Sequence, residues 1–449
     1  MLTKNREKVF KLKKFKKCVT ALCLTMTLIT TFRIDVSAKE LVKWPSGPEV
    51  LSEAAYLMDM DTGTVLYSKN EDVQEHPASI TKILTALIAA EKGNLKDTVT
   101  FSKEAIAGNE SKKSSHIARD VGEKMSLEDC MYAMMLASAN ECADAIAEHI
   151  GGSKEKFVEM MNQKAKKLGC TNSHFVCSNG FIDEGHYVTA KDMAKIAAAA
   201  YKNPIVKKLV TTKKYTIPPT NVHEDPTHLI NHHDMLIPYR TGKYVYKYCT
   251  GGKTGYTDIA KNTLVTYAEK DGKRLVCVIL KDEIPYQKYK DTTALLDFGF
   301  DNYSHVEASQ LFDIKTDASA KKVLKNTNIK ETKLDTSFVT LPNNADIKDV
   351  SYSFKSITRK KGSAVVGKVS YKYGKIKLGE SKVLNDAELV RELAKKNTSK
   401  KSSKEKAVKI NITILIIVSV VVVIVLAVAA CYFIMQKVNR DKWRERKLF

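Results

Sequence analysis

Residues 39–303 run strands, then helices, then strands, and that order restricts the fold more than any other feature of the chain. Ala55–Met60 and Val65–Ser68 are apolar runs joined by Asp61-Thr62-Gly63, which reads as a β-hairpin. Far downstream, Leu264–Glu269 and Leu275–Lys281 flank Lys270-Asp271-Gly272-Lys273, a strong hairpin signal. Between the hairpins, Ile80, Ile83, Leu84, Leu87 and Ile88 recur at helical spacing behind Ser79. Further helices are expected at Leu127–Ala137, Glu141–Ile150, Lys154–Leu168, Thr189–Tyr201 and Thr292–Phe298, with Thr189 and Asp192 resembling a capping box. Beyond Ser304 the chain alternates Val, Ile, Tyr and Phe with polar residues, as at Ala364–Tyr373, and shows little helical period. The expected class is α+β, with a small β-rich domain at the C-terminal side.

Both ends of the chain carry hydrophobic segments. Residues 1–38 read as an export signal: a lysine-rich start (Lys4 to Lys17), an apolar run Cys18–Phe32 and the small-residue site Val36-Ser37-Ala38. The run is too short for a comfortable membrane span, so the mature chain is expected to begin near Lys39. Ile410–Met435 is long enough to cross about 30 Å of hydrocarbon at roughly 1.5 Å per residue. Lysines lie before it (Lys400 to Lys409) and a basic tail after it (Lys437 to Lys447), so charge alone does not orient the span. The export signal does: bulk outside, tail in the cytoplasm. The expected division is signal 1–38, main domain 39–303, β-rich domain 304–389, basic linker 390–409, transmembrane helix 410–435 and cytoplasmic tail 436–449, a single-pass cell-membrane protein.

The net charge of +22 first suggests nucleic acid, but an exported chain has no such partner, and much of the excess sits in the signal, linker and tail. Six of the nine cysteines fall in the exported part, at spacings of no small disulfide scaffold; most read as core residues, and Cys170 with Cys177 is the favoured pair if one is bridged. His223, Asp225, His228, His232, His233 and Asp234 crowd one stretch, and His228/His232 has the spacing of helical metal ligands. Pro226 and the polar surroundings favour a loop, and the chemistry below needs no metal or cofactor.

Three motifs carry that chemistry: Ser79-Ile80-Thr81-Lys82, Ser138-Ala139-Asn140 and Lys253-Thr254-Gly255. Ser-x-x-Lys recurs at Ser153/Lys156, Ser319/Lys322 and Ser403/Lys406, and Ser-x-Asn at Ser68/Asn70, whereas Lys-Thr-Gly occurs once. The ordered set is therefore the evidence, not any one motif. Residues three apart share a helix face, so Lys82 can bring its amine beside the Ser79 hydroxyl. Burial and a nearby cation, for which Lys253 is the natural candidate, can lower its pKa until it serves as a base. Ser138 can relay a proton to a leaving amine, and Asn140 can hold Lys82 and a substrate backbone. On a strand, Lys253 offers positive charge to a carboxylate, Thr254 a hydroxyl, and Gly255 room for close approach. This is the equipment of serine acyl transfer.

With Ala147-Glu148-His149-Ile150-Gly151-Gly152, Asn179-Gly180, Gly185-His186-Tyr187 and Gly252 to Thr257, these motifs resemble the D-alanyl-D-alanine carboxypeptidases, the low-molecular-mass penicillin-binding proteins. The similarity covers residues 50–300 well and the β-rich domain more loosely. It implies a penicillin-binding/β-lactamase-like fold, an antiparallel sheet flanked by helices with a helical subdomain. It also implies that Ser79 is acylated by peptidoglycan stem peptides with loss of D-alanine, with Lys82 as general base, Ser138 as relay and Asn140 beside them. Lys253, Thr254, Gly255 and Tyr256 would bind substrate, the N–H groups of Ser79 and Tyr256 would form the oxyanion hole, and β-lactams would acylate the same serine. Many relatives end in an amphipathic helix lying on the membrane, whereas this chain is expected to cross it; Cys177 and Lys261-Asn262 also depart from the pattern. A transpeptidase differs only in using an amine acceptor. A class A β-lactamase would need a Glu-x-x-Leu-Asn segment, which is absent, and the complete set of reactive residues opposes a silent wall-binding scaffold.

Overall fold

The computed structural model describes residues 44–107, 114–181, 184–327, 332–334, 338–357 and 365–385. The expected signal (1–38), linker (390–409), transmembrane helix (410–435) and tail (436–449) lie outside the described residues. Among the described residues no helix is long and apolar enough to cross a membrane.

Both hairpins enter one antiparallel sheet of order β2-β1-β9-β8-β7. Its strands are β1 (Ala54–Asp59), β2 (Val65–Lys69), β7 (Cys249–Thr257), β8 (Lys261–Lys270) and β9 (Lys273–Asp282). β1 pairs with β9 through Tyr56↔Val278, so the two ends of the domain are zipped together in the middle of the sheet. The β8–β9 connection is a two-residue turn with Asp271 at φ 51° and Gly272 at φ 79°, the positive pair that a type I′ hairpin requires.

The sheet is covered on both faces, which explains why its strands read as apolar runs and not as alternating ones. Tyr56, Val265, Tyr267, Val276 and Val278 face a helical layer. Leu57, Leu264, Leu275, Cys277 and Ile279 face the other way, against Leu295, Leu296 and Phe300 of a C-terminal helix. The helical layer comprises α1 (Lys82–Lys92), α2 (Lys103–Ala107), α3 (Leu127–Leu136), α4 (Asn140–Gly151), α5 (Lys154–Lys167), α6 (Ala190–Lys202) and α7 (Pro204–Thr211). α1 is its axis: it touches α3, α4, α5, α6 and α7, and Lys82 to Ala89 are all buried. The covering helix is α8 (Gln287–Asn302), longer at both ends than the expected Thr292–Phe298. Two short antiparallel pairs, β3 (Thr98–Thr100) with β4 (Lys124–Ser126) and β5 (Lys214–Ile217) with β6 (Thr227–Ile230), complete the domain.

Half of the expected capping box forms. Thr189 Oγ1 accepts from Asp192 N at 3.1 Å. The Asp192 carboxylate, however, accepts from Thr171 N, Asn172 N and Ser173 Oγ and so ties the loop before α6 to its first turn.

The second domain is less uniformly β than its sequence suggests. β10 (Tyr303–Glu307) pairs with β12 (Phe338–Pro342), and β11 (Thr332–Leu334), β13 (Val350–Ser356), β14 (Val365–Tyr373) and β15 (Ile376–Asn385) form a sheet of order β11-β15-β14-β13. Two helices, α9 (Ala308–Leu311) and α10 (Ala318–Thr327), correct the expectation of little helix after Ser304. Asp317 Oδ1 caps α10 by accepting from Ala320 N at 2.8 Å, and its buried contact at Ala320 is too small to register as an apolar period.

The domains meet at the β1–β2 turn. Asp59, fully buried, accepts from Thr340 Oγ1 at 2.9 Å and lies 2.7 Å from His305 Nε2, while its other oxygen accepts from Asp61 N at 2.8 Å. Thr64 Oγ1 donates to Leu378 O at 2.6 Å. A buried carboxylate with this many partners holds its neighbours in place, and removing it takes that acceptor from His305 and from Asp61 N and leaves Thr340 Oγ1 only its contact with Thr62 Oγ1. Asp59→Ala is therefore expected to lower unfolding free energy by about 3 kcal/mol in urea titrations of the ectodomain signal. A loss below about 0.5 kcal/mol would mean that other contacts hold the joint.

Candidate active site

Ser79 sits in a single 3-10 turn, Ala78–Thr81, that runs directly into α1. Ala78 has φ 51°, a conformation costly for a residue with a Cβ, which turns the chain so that Ser79 faces out of the helical layer while Lys82 faces into it. Two glycines permit the neighbours to press on this turn. A Cβ on Gly180 would fall 1.9 Å from Ala78 O, and one on Gly255 would fall 2.3 Å from Thr263 Oγ1 and 3.0 Å from Ser79 N. Thr263 Oγ1 also donates to Pro77 O at 2.8 Å, fastening β8 to the turn.

Lys82 Nζ has three hydrogen-bond partners: Ser79 Oγ at 2.9 Å, Asn140 Oδ1 at 2.6 Å and Asn179 O at 2.6 Å. They come from three separate stretches of chain and match the three N–H groups of an ammonium. The side chain is fully buried, and that burial lowers its pKa to about 7 despite the opposing charges of Asp144 and Glu141. Of the two causes named from sequence, burial is thus the main one. Lys253 is buried as well and is pushed well below the usual lysine range, first by burial and then by the charge on Lys82.

Ser138 occupies the break between α3 and α4 at φ 63°, and its hydroxyl accepts from Lys253 Nζ at 3.1 Å. Neither Ser138 nor Asn140 caps α4, the reading either would invite alone; the N-cap position is Ala139, with no side-chain bond. Asn140 is oriented instead by donating Nδ2 to Ser114 Oγ at 2.8 Å and its backbone N–H to Ser115 O at 2.9 Å. Lys253, Thr254 and Gly255 lie on β7, an edge strand of the main sheet, with Gly255 opposite Thr263.

Ser79, Ser138, Thr254, Gly255 and Tyr256 line one cleft of about 500 Å³. The eight residues expected from sequence therefore converge: Ser79, Lys82 and Asn140 share one hydrogen-bonded centre, Lys253 bonds Ser138, and Thr254, Gly255 and Tyr256 form the wall beside the serine. Sequence reasoning missed Ser115, Arg240 and Lys288 in the cleft lining and the Asn179 carbonyl bonded to Lys82, and it raised His232 only as a possible metal ligand. His232 is held neutral near a pKa of about 4 by burial and by the charges of Lys253 and Arg240. Burial and the Arg240 charge bring Lys288 down to about 8; its amine donates to Asn262 Oδ1 at 2.9 Å, which gives that unusual asparagine a place in the rim.

The remaining candidates disperse. His228 lies on β6, so its spacing with His232 is not that of a helix; His223 Nδ1 sits 3.1 Å from Glu123 Oε1, and His233 Nε2 lies 3.1 Å from Thr266 Oγ1. Cys170 and Cys177 are both free, as are the other four cysteines among the described residues. Cys170 Sγ faces Asp192 O at 3.6 Å, whereas Cys177 Sγ lies 3.4 Å from His186 Nδ1, whose other nitrogen is 2.9 Å from Thr81 Oγ1.

Comparison with known proteins places this geometry. The family model described as D-alanyl-D-alanine carboxypeptidase matches residues 41–283. The D-alanyl-D-alanine carboxypeptidase DacF of Bacillus subtilis is 34% identical over 293 residues, covering 64% of this chain and 72% of the relative. A D-alanyl-D-alanine carboxypeptidase of a Streptomyces strain is 30% identical over 264 residues, covering 56% and 88%. Among solved structures, a Streptomyces DD-transpeptidase at 29% identity aligns with 57% of this chain and 100% of its own, with a TM-score of 0.52. A Mycobacterium tuberculosis D-alanyl-D-alanine carboxypeptidase at 26% identity covers 59% and 95%, with a TM-score of 0.51. The chain belongs to the D-alanyl-D-alanine carboxypeptidase family.

Proposed function

We propose that this serine-type D-Ala-D-Ala carboxypeptidase removes the terminal D-alanine from peptidoglycan stem peptides by way of an acyl-enzyme on Ser79. The observation that carries the assignment is the buried Lys82 amine, 2.9 Å from Ser79 Oγ and lowered to a pKa of about 7. Near neutral pH a good part of it is the free base. It takes the Ser79 proton as Oγ bonds to the carbonyl carbon, and the Ser79 and Tyr256 N–H groups hold the oxyanion. The close packing of Gly255 on Ser79 N supports that pairing of backbones. The Lys253–Ser138 contact, at 3.1 Å, offers the path by which a proton reaches the departing amine as the C–N bond breaks. Water then attacks the ester and restores the Ser79 hydroxyl.

The substrate's terminal carboxylate is held by Thr254 and by Lys253, whose charged form it favours by supplying the opposite charge that the buried amine lacks. β-Lactams acylate the same serine. Transfer to an amine in place of water is the second reading, favoured by the DD-transpeptidase name of the Streptomyces neighbour. Products of a diacyl peptide ending in D-Ala-D-Ala separate the two: free D-alanine with shortened peptide marks hydrolysis, crosslinked peptide marks transfer. We also propose that residues 410–435 anchor the enzyme in the cell membrane, with the catalytic domain outside and residues 436–449 in the cytoplasm.

Mass spectrometry after penicillin treatment should find a stoichiometric adduct on the Ser79 peptide of the wild type and none in Ser79→Ala. An adduct elsewhere, or an equal one in the variant, would remove Ser79 from the mechanism. The acylation rate should rise with pH through about 7 and then level, because the base must be unprotonated and its pKa is depressed to that value. A rate that falls over this range would exclude Lys82 as the base. Gly255→Ala forces a Cβ toward Ser79 N, and acylation should slow by about 100-fold, the cost of a displaced oxyanion site. Stopped-flow acylation at a wild-type rate would show that β7 does not help to shape that site.

A further inference from the structure

The β11-β15-β14-β13 sheet buries Val369, Tyr371 and Val383 on one face, with Phe354 packed against them. Side chains alternate along a strand, so the opposite face is set by register. Three rows run across it: Lys355–Lys368–Lys382, Ser353–Ser370–Glu380 and Ser351–Lys372–Lys377. Among the described residues two lysine rows thus flank a single carboxylate, and Glu380 bonds to Lys368 and, at 3.0 Å, to Lys377. Five lysines against one acid occupy a patch of roughly 10 by 14 Å, taking about 4.8 Å between strands and about 3.4 Å per residue.

Like charges directly opposite one another weaken a sheet. The arrangement is relieved by a partner that brings negative charge to all three strands at once. Lys382 stands three residues before the end of β15 at Asn385, so the densest row lies where the chain leaves the sheet. Residues 386–409 alone separate that point from the apolar segment beginning at Ile410. At most about 3.5 Å each, they keep the sheet within about 85 Å of the place where that segment enters a bilayer. The intervening stretch carries Lys400, Lys401, Lys404, Lys406 and Lys409, so the approach has the same sign as the patch.

We propose that this lysine face docks on the anionic lipid surface into which the C-terminal segment inserts. The proposal rests on the membrane anchoring proposed above. Anionic headgroups attract clustered lysines over a distance comparable to the Debye length, about 8–10 Å, so the contact is salt-sensitive and requires the face to lie against the surface. Docking the second domain in this way sets the orientation of the whole enzyme above the membrane.

The test uses the full chain reconstituted in phosphatidylcholine vesicles with and without phosphatidylglycerol, and brief acetylation of lysines read residue by residue by mass spectrometry. Lys355, Lys368, Lys372, Lys377 and Lys382 should react at least about threefold more slowly in the anionic vesicles at low salt, and high salt should abolish the difference. Lys166 and Lys167, exposed on α5, should be unaffected. In Lys355→Gln/Lys368→Gln/Lys382→Gln the protection of Lys372 and Lys377 should be lost while penicillin acylation persists, showing an intact fold. Flotation in carbonate keeps the two readings apart. A chain that stays with the vesicles yet shows equal lysine rates overturns the docking alone; a chain released by carbonate overturns the anchoring, and the docking with it. Protection by soluble polyglycerol phosphate but not by phosphatidylglycerol would overturn the lipid assignment in favour of a wall polymer.

Discussion

Burial of the Lys82 amine is the constraint on which the rest of this structure turns. An ammonium withdrawn from water is costly unless each of its N–H groups finds an acceptor. Here the acceptors are a hydroxyl from its own turn, an amide oxygen from the start of α4 and a carbonyl from the loop at Asn179. The last two acceptors are themselves fixed. Asn140 is oriented through Ser114, and Asn179 through its amide donation to Asp144 Oδ1 at 3.1 Å. The helical layer is thus tied together around the Lys82 amine, and the energetic cost of burying its charged form is what brings its pKa down to about 7.

The sheet serves this centre by ending beside it. β7 is at the edge of the order β2-β1-β9-β8-β7, and an edge strand keeps one row of backbone N–H and C=O groups unpaired within the sheet. An extended peptide can pair with such a row, so recognition of a stem peptide needs no loop to be built for it. Thr263 at its bond to Pro77 O and Gly255 at Ser79 N bring that edge against Ser79. Two small groups do this: a hydroxyl that satisfies a carbonyl and a residue that lacks a Cβ.

What was legible in the sequence follows from what periodicity and residue identity encode. The hairpins at Asp61-Thr62-Gly63 and Asp271-Gly272 carry their turn chemistry in their residues, and α3, α4, α5 and α6 show their apolar stripes. The motif residues were recognisable because it is their side chains, which a sequence names, that meet at the cleft. The Asn179 carbonyl was not, since every residue has a carbonyl and only the fold aims this one at Lys82. Nor was the φ of 63° at Ser138 evident, because serine carries no marker of left-handed backbone. α7 escaped notice although Asn203 caps it and Pro204 begins it, for eight residues give too few turns for a period to stand out. The cysteines are mostly buried core residues, as expected, and the pair favoured if one were bridged stays apart, with Asp192 O near the Cys170 sulfur and His186 near that of Cys177.

The joint between the domains bears on where specificity can reside. Asp59 and Thr64 lie at the β1–β2 turn, three strand spacings or about 14 Å across the sheet from β7. Gly379, at φ 123°, fits against Thr62 O, where a Cβ would come within 2.7 Å, so the second domain seats closely on that turn. The residues that line the cleft all fall between Ser79 and Tyr289, and none comes from β10 to β15. Among the described residues the second domain therefore contributes nothing to the lining of the cleft. Through a buried carboxylate and a glycine approach, it can set where the cleft is held, and its outward row of lysines gives that positioning a surface to act on.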